Sequence, residues 1–125
     1  MIFTSPETLY DAYVFDMDGT IYLGDHLLPG AKRLIEGLHS LGKPVRYLSN
    51  NPTKDPEQYA QKLDMLGLPT PIEEIANTVV TTTRWLKKHH PDATVFPISE
   101  EPLKRALAKA GIRMSENPEE IDIVI

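Results

Sequence analysis

Short apolar runs alternate with amphipathic stretches along this chain, and that alternation limits the folds that it can adopt. Residues 12–16 (AYVFD) form a continuous apolar run up to the final aspartate, which is typical of a strand covered on both faces. Between 34 and 41, four Leu or Ile side chains recur at helical spacing before Gly42, which predicts an amphipathic helix. Residues 44–51 (PVRYLSNN) predict a second strand.

The same pattern continues after the second strand. Asp55 and Pro56 predict the N-cap and the first residue of a helix that ends near Gly67. In residues 75–90 (IANTVVTTTRWLKKHH) the β-branched run 79–83 favours a strand, whereas the basic end favours the last turn of a helix. We therefore predict a short strand that leads into a helix.

The last part of the chain predicts one more strand and helix, followed by a final strand. Residues 93–99 (ATVFPIS) fit a strand, and Ser99 is a candidate cap for a helix with Leu103 and Leu107 on its apolar face. Residues 119–125 (EEIDIVI) predict a buried strand with no helix after it. A buried strand is an unusual terminus, so we expect the polypeptide to be a piece of a longer protein.

Strands that alternate with helices in this order predict an α/β fold with right-handed crossovers and a doubly wound parallel sheet. Ligands bind such sheets at the carboxyl ends of the strands. Polar clusters at 16–20 and 49–53 both follow predicted strands. We therefore expect the two clusters to meet in one crevice, although they are far apart in the sequence.

Composition excludes several classes of function. With 125 residues and a formal net charge of -5, the chain fits one modest domain, and its scattered basic residues argue against a nucleic-acid partner. It has no cysteine, so any metal must be held by oxygen or imidazole ligands. The N-terminus lacks the pattern of a secretory signal and no run reaches membrane-spanning length, which predicts a cytoplasmic protein with no membrane partner.

Two carboxylates two positions apart carry the clearest chemical signal. Asp16 and Asp18 repel each other, and a bound Mg²⁺ would offset that repulsion. An ionised Asp16 beside the metal could attack phosphorus and form an aspartyl-phosphate. Asp18 could then pass a proton to the leaving oxygen and later take one from water.

Four further residues are candidates for binding the phosphate group of a substrate. Gly19 allows the backbone to approach a substrate closely, and the Thr20 hydroxyl could fix the loop. Ser49 and the backbone amides of Asn50 and Asn51 are suitable donors to phosphate oxygens. The predicted phosphate-binding set is Gly19, Thr20, Ser49 and Asn50.

The motifs around these residues resemble a known superfamily. FDMDGTIY (15–22) resembles the first motif of the haloacid dehalogenase (HAD) superfamily, aspartate-nucleophile phosphatases with a Rossmann-like core, and YLSNN (47–51) is similar to the second. YLGDHLLPGA (22–31) together with LSNNPTK (48–54) resembles the NagD and p-nitrophenylphosphatase subfamily, class IIA. That subfamily carries a large α/β cap inserted after the second motif.

The resemblance implies a division of the chain and a role for each motif residue. Residues 1–86 would be the first part of the HAD core, and 87–125 the start of an incomplete α/β cap. Asp16 would be the nucleophile and a metal ligand, and Asp18 the general acid/base with its backbone carbonyl on Mg²⁺. Ser49 would bind phosphate, and Asn50 would belong to the same pocket.

The sequence departs from the superfamily pattern in two motifs that normally follow the cap. Neither the lysine of the third motif nor the acidic residues of the fourth are present before Ile125. Lys43 stands in GKP (42–44), which matches the wording of the third motif, but it lies in a predicted helix-to-strand turn, and we interpret it as a loop residue.

The predicted function is a Mg²⁺-dependent phosphatase acting on a small phosphorylated metabolite through an aspartyl-phosphate. The alternative is a truncated, non-catalytic fragment that binds phosphate weakly or assembles with its missing half. A mutase or a dehalogenase is a third reading, and the two-aspartate motif argues against the dehalogenase. A homo-oligomer formed through the cap is left open.

Four residues outside these motifs also have predicted places. Trp85 and Leu86 are predicted core residues. His89 and the histidine after it resemble a metal pair, but adjacent helical residues do not share a face. We interpret them as cations at a helix C-terminus.

Overall fold

The computed structural model describes residues 7–125, and its elements alternate much as the sequence predicts. In chain order they are β1 (Tyr13–Asp16), β2 (Tyr22–Leu23), β3 (His26–Leu27), α1 (Ala31–Ser40), β4 (Val45–Ser49), α2 (Pro56–Met65), a 3-10 turn (Ile72–Glu74), β5 (Ile75–Asn77), α3 (Thr78–His89), β6 (Thr94–Phe96), α4 (Glu101–Lys109), β7 (Arg113–Met114) and β8 (Ile123–Val124). None of these helices is both long and apolar enough to cross a membrane.

The first sheet places the two polar clusters side by side. Its strands run parallel in the order β1, β4, β5. Asp16 at the end of β1 is in register with Leu48, and Ser49 at the end of β4 is in register with Asn77. The carboxyl ends of β1 and β4 therefore form one edge, which is where ligands bind in sheets of this kind.

The start of α2 shows how local sequence sets a helix boundary. Asp55 Oδ1 accepts a hydrogen bond from the Gln58 backbone N–H at 2.9 Å, and Gln58 Oε1 accepts one from the Asp55 N–H at 2.9 Å. Pro56 occupies the first helical position, where a missing N–H removes no helical hydrogen bond. This capping box confirms the predicted N-cap and orients the helix so that Tyr59 and Leu63 are buried.

A short strand does lead into a helix here, as predicted, but the β-branched run 79–83 belongs to the helix and not to the strand. The strand lies earlier, at Ile75–Asn77, and α3 begins at Thr78. Asn77 Oδ1 accepts a hydrogen bond from the Val80 N–H at 3.1 Å, and the Thr81 hydroxyl donates to the Asn77 carbonyl at 3.1 Å. The cap and the burial of one helix face outweigh a weak β propensity.

A second sheet follows, and it has its own core. Its strands are parallel in the order β7, β6, β8. The apolar cluster beside it is formed by Val79, Leu86, Val95, Leu103, Leu107 and Ile112. The predicted boundary between 86 and 87 thus falls inside α3, two of whose side chains belong to this cluster, and the division into core and cap stays a prediction.

Several smaller expectations in this second part differ from the structure. Ser99 does not cap α4, because the N-cap residue is Glu100 and it makes no side-chain cap hydrogen bond. Trp85 is 51% exposed, whereas Leu86 is fully buried as predicted. Strand β8 is present, but it is not fully buried, since Val124 is 57% exposed.

The exposed ring of Trp85 has aromatic neighbours at the end of its own helix. Its ring lies 5.3 Å from the ring of His89 and 5.0 Å from the ring of His90, measured between centroids. The three rings form a group at the C-terminal end of α3, while Leu86 on the neighbouring position enters the core. An aromatic side chain can thus find partners at the surface, which its hydrophobicity alone does not reveal.

Candidate active site

The loop after β1 holds two carboxylates on either side of a buried anchor. Met17 is fully buried, whereas Asp16 and Asp18 are exposed. The Met17 carbonyl accepts hydrogen bonds from the N–H groups of Thr20 at 3.2 Å and Ile21 at 2.9 Å, which closes a tight turn. Both carboxylates therefore face solvent from a backbone that is fixed by burial and hydrogen bonds.

Gly19 is required by the shape of this turn. Its φ is 79°, a left-handed conformation that residues with a Cβ rarely adopt. Its N–H donates to the Tyr22 carbonyl at 2.8 Å. The exposed side chain of Thr20 lies next to it, so Gly19 and Thr20 both belong to the rim around the aspartates.

The end of β4 presents a serine that is held by two partners. Ser49 is 8% exposed, and its Oγ lies 3.0 Å from the Tyr59 hydroxyl oxygen. The Asn51 backbone N–H donates to the same Oγ at 3.1 Å, so this amide is engaged inside the loop. Asn50 between them is exposed at the rim.

Asn51 also shapes the loop that follows. Its Oδ1 accepts hydrogen bonds from the Thr53 N–H at 2.9 Å and from the Thr53 hydroxyl at 2.7 Å. A side-chain amide that accepts a bond two residues on closes an Asx-type turn. The turn fixes the path of the chain from Ser49 to the cap of α2.

Two buried tyrosines, neither of them among the predicted site residues, also lie at the site. Burial raises the pKa of Tyr22, and the neighbouring Asp18 carboxylate raises it further. Burial also raises the pKa of Tyr59, the bond with Ser49 opposes that rise, and the charges of Asp18 and Asp16 add to it. The carboxylates of the first loop therefore act on the hydroxyl that contacts Ser49, in agreement with the strand register that places both polar clusters at one edge of the sheet.

A sequence signal for these tyrosines exists, although it is weak. Tyr22 is fully buried and Tyr59 is 1% exposed, at positions whose spacing fits an apolar face. A buried tyrosine needs a partner for its hydroxyl, and the nearest polar groups in this fold are those at the strand ends. Only the three-dimensional structure identifies that partner as Ser49 for Tyr59.

Two lysine ammonium groups lie over the rings of the two site tyrosines. Lys62 Nζ lies 4.1 Å from the centroid of the Tyr22 ring, and Lys54 Nζ lies 5.8 Å from the centroid of the Tyr59 ring. Ammonium groups at such distances are attracted by the negative face of the ring. Lys62 lies in α2 and Lys54 directly before its N-cap, so both cations come from the segment after the second motif.

The donor set fits a hard cation that keeps open coordination positions. Asp16 and Asp18 supply carboxylate oxygens, the ligand type that Mg²⁺ prefers. Within 7–125 no three His, Asp or Glu side chains lie close enough together to hold a metal ion by themselves. Mg²⁺ is commonly bound through one or two carboxylates with water and phosphate oxygens, so a complete protein cage is not needed.

Five of the six predicted site residues are exposed, and only Ser49 is buried. A cleft of about 590 Å³ lies elsewhere, between the start of α2 and the helices α3 and α4. It is lined by Asp55 and Arg105, whose side chains form an ion pair at 2.9 Å, and by none of the six predicted site residues. The predicted chemistry and this cleft therefore occupy different parts of the molecule.

Comparisons with known proteins agree on one family. A family model described as haloacid dehalogenase-like hydrolase matches residues 13–113. Acid sugar phosphatase of Staphylococcus aureus (strain USA300) is 35% identical over 116 residues, which are 93% of this chain and 44% of that protein. The structure of 4-nitrophenylphosphatase from Thermotoga maritima is 28% identical, with a TM-score of 0.81 over 87% of this chain and 42% of that one.

A third comparison concerns the fold alone. NagD from Escherichia coli K-12 is 21% identical, with a TM-score of 0.84 over 94% of this chain and 46% of its own. The chain thus spans less than half the length of these relatives. The predicted α/β fold and the resemblance to NagD and p-nitrophenylphosphatase are confirmed. Since the family model runs from β1 to β7 and includes both motifs, this chain belongs to the haloacid dehalogenase-like hydrolase family.

Proposed function

We propose that this chain carries the nucleophile part of a Mg²⁺-dependent phosphatase that acts on a small phosphorylated metabolite. One observation carries the proposal: the exposed carboxylates of Asp16 and Asp18 flank the buried Met17 at the end of β1, next to Ser49 at the end of β4. The relatives named acid sugar phosphatase and 4-nitrophenylphosphatase support a phosphate ester as the substrate class.

In the proposed reaction the two aspartates have separate roles. Asp16 attacks phosphorus, so that a bond forms between its carboxylate oxygen and phosphorus while the bond to the leaving oxygen breaks. Asp18 gives a proton to that leaving oxygen. It then takes a proton from water, whose oxygen attacks phosphorus and releases Asp16 and inorganic phosphate.

The remaining predicted residues hold the phosphoryl group in place. Ser49 and Asn50 would donate hydrogen bonds to its oxygens from the end of β4, while Gly19 and Thr20 would line it from the first loop. Held by Asp16 and Asp18, Mg²⁺ would supply positive charge that offsets the repulsion between carboxylates and phosphate. Cytoplasmic localisation and an oligomer formed through the cap stay predictions.

A second candidate function is a non-catalytic fragment that binds phosphate weakly or assembles with its missing half. An exposed sheet face favours it. Val14 is 60% exposed and Leu48 is 47% exposed, and the strand register places both on one face of the first sheet. Apolar residues on a sheet face are commonly covered by another element, which is what an assembly partner would provide.

Hydrolysis of p-nitrophenyl phosphate distinguishes the two candidates. If the chain is catalytic by itself, it releases p-nitrophenol in the presence of Mg²⁺, stops in EDTA, and loses turnover in Asp16→Asn. Asp25→Asn is the matched control, because Asp25 is an exposed aspartate of the β2–β3 connection. If circular dichroism shows a folded chain and no variant turns over, the fragment hypothesis is favoured.

A further inference from the structure

The Ser49 hydroxyl has more hydrogen-bond contacts than its position at the rim suggests. Its oxygen accepts the Asn51 N–H at 3.1 Å and lies 3.0 Å from the hydroxyl oxygen of Tyr59. Tyr59 comes from the buried face of α2 and is 1% exposed. A serine hydroxyl has one proton and two lone pairs, so these contacts restrict where the proton can point.

Only if Tyr59 donates to Ser49 does the buried hydroxyl proton of Tyr59 have an acceptor. Among residues 7–125 the Tyr59 hydroxyl has Ser49 Oγ as its single hydrogen-bond partner. If Ser49 were the donor, the proton of Tyr59 would be buried without an acceptor, which is strongly unfavourable. If Tyr59 is the donor, both lone pairs of Ser49 Oγ are occupied and its own proton remains to be donated.

We propose that Tyr59 is a positioning residue, which donates its hydroxyl proton to Ser49 Oγ and thereby directs the Ser49 proton toward a phosphate oxygen of the substrate. The proposal rests on the proposed function, in which Ser49 binds phosphate. Since Ser49 is 8% exposed at the end of β4, its proton can reach the rim where the aspartates lie. The donor is then oriented before the substrate arrives, which avoids reorganisation during the reaction.

The surroundings of Tyr59 keep its hydroxyl protonated. Burial raises its pKa above the ordinary value of 10.0, and the charges of Asp18 and Asp16 act in the same direction against the opposing effect of Ser49. The hydroxyl is therefore a donor throughout the neutral pH range. This supports the arrangement but is not needed for it, because an ordinary tyrosine is also protonated at neutral pH.

The test is a titration with inorganic phosphate. The ¹⁵N-labelled chain with Mg²⁺ is titrated while the amide signals of Asn50 and Asn51 are followed by NMR, which suits weak binding. We expect Tyr59→Phe to weaken phosphate affinity on the order of fivefold, the size of one hydrogen bond. In the Ser49→Ala background the same substitution should change the affinity by less than about twofold, because Tyr59 acts through Ser49.

A matched control separates this role from general packing. Tyr47 is fully buried and belongs to the same strand as Ser49. Within the described residues its hydroxyl makes no hydrogen bond. Tyr47→Phe should leave phosphate affinity unchanged. Three results would each overturn the proposal. Tyr59→Phe could leave phosphate affinity unchanged, Tyr47→Phe could weaken it as much as Tyr59→Phe does, or Tyr59→Phe could weaken it equally with Ser49 and with Ala at position 49.

A second measurement needs no phosphate and separates this proposal from the proposed function. The unliganded chain should show a slowly exchanging Tyr59 hydroxyl proton with a nuclear Overhauser effect to the Ser49 β protons, and the signal should vanish in Tyr59→Phe. The signal could be present in a chain that binds no phosphate. In that case the proposed function fails and Tyr59 no longer has a role in directing phosphate, but Tyr59 is still the donor to Ser49. A slowly exchanging proton on Ser49 instead overturns the donor assignment.

Discussion

The two apolar clusters of this molecule differ in kind, although both lie beside a three-stranded parallel sheet. The first includes three buried tyrosines, Tyr22, Tyr47 and Tyr59, whereas the second is wholly aliphatic. Two of those tyrosines have hydroxyls under the influence of the aspartate loop. Polar atoms thus enter the core where the candidate chemistry is, whereas the buried side chains of the second cluster carry no polar atom.

This difference affects how each part responds to substitution. Around the first cluster a hydroxyl lost from the core can alter Ser49 or the aspartate loop, so stability and site geometry are linked. In the second cluster a truncated side chain leaves a cavity with no polar consequence. We expect substitutions of the buried tyrosines in the first part to change activity and stability together, and substitutions of exposed site residues there to change activity alone. Substitutions in the second cluster should change stability only.

The largest expected effect is on turnover and comes from Asp16→Asn. If Asp16 is the nucleophile, turnover of p-nitrophenyl phosphate should fall by about a thousandfold or more. Because Asp16 is exposed, the free energy of unfolding measured in urea should change by less than about 0.5 kcal/mol. If Asp16→Asn keeps its activity, Asp16 is not the nucleophile. If Asp16→Asn unfolds, an exposed site residue affects stability as well as activity.

The largest expected loss of stability comes from Leu107→Ala in the aliphatic cluster. Leu107 is fully buried, so we expect the free energy of unfolding to fall by about 3 kcal/mol, from lost burial and the remaining cavity. Leu34→Ala is the control, since Leu34 in α1 is 50% exposed and should lose well under about 1 kcal/mol. Phosphate affinity should not change in either variant as long as the chain is folded, and a change would disprove the independence of the second cluster.

Asn77→Ala tests the point at which the first sheet passes into α3. Asn77 is 2% exposed, its Oδ1 caps α3 through Val80, and its Nδ2 donates to the Lys54 carbonyl at 2.6 Å. Loss of the cap and of a buried hydrogen bond should lower the free energy of unfolding by about 2 kcal/mol. Asn117→Ala, at an exposed asparagine that also accepts from a nearby N–H, should have an effect several times smaller.

Alkaline pH should act gradually, and on the first part of the molecule, which contains the buried tyrosines. The pKa values of Tyr22, Tyr47 and Tyr59 are all raised above 10.0 by burial. The unfolded chain therefore releases these protons first, so stability is complete below pH 10.0 and declines as pH rises above it. We expect a slope of at most about 1.4 kcal/mol per pH unit per tyrosine.

Thermal unfolding at several alkaline pH values measures this decline, and Tyr22→Phe should reduce it. Tyr10→Phe is the control, because Tyr10 is 70% exposed. NMR signals from α4 and β6, which contain no buried tyrosine, should persist to higher pH than those of β1 and β4 if the two parts unfold separately. An identical slope in wild type and Tyr22→Phe would show that this hydroxyl does not titrate with unfolding.

Much of the first part of the fold is predictable because its signals are local. Helix α1 follows from the spacing of its apolar residues, and α2 from the cap formed by Asp55 with Gln58. The strand ends at Asp16 and Ser49 follow from apolar runs that stop at polar residues. Parallel pairing then brings them together, which the alternation of strands and helices already implies.

What the sequence does not reveal depends on contacts between distant residues. The run of valines and threonines in α3 favours a strand by propensity, and only the Asn77 cap and the packing of Val79 and Leu86 make it a helix. Nothing local shows that the Tyr59 hydroxyl meets Ser49. Hydrophobicity likewise places Trp85 in the core, although it is 51% exposed.

The carboxylate of Asp55 is shared between two elements that belong to different halves of the molecule. One oxygen holds the first turn of α2 through Gln58, while the other accepts from Arg105 of α4 at 2.9 Å. Arg105 thereby joins α4 to the N-cap of α2. Tyr59 lies one helical turn after Asp55, so the residue that contacts Ser49 and the residue that pairs with α4 belong to the same end of one helix.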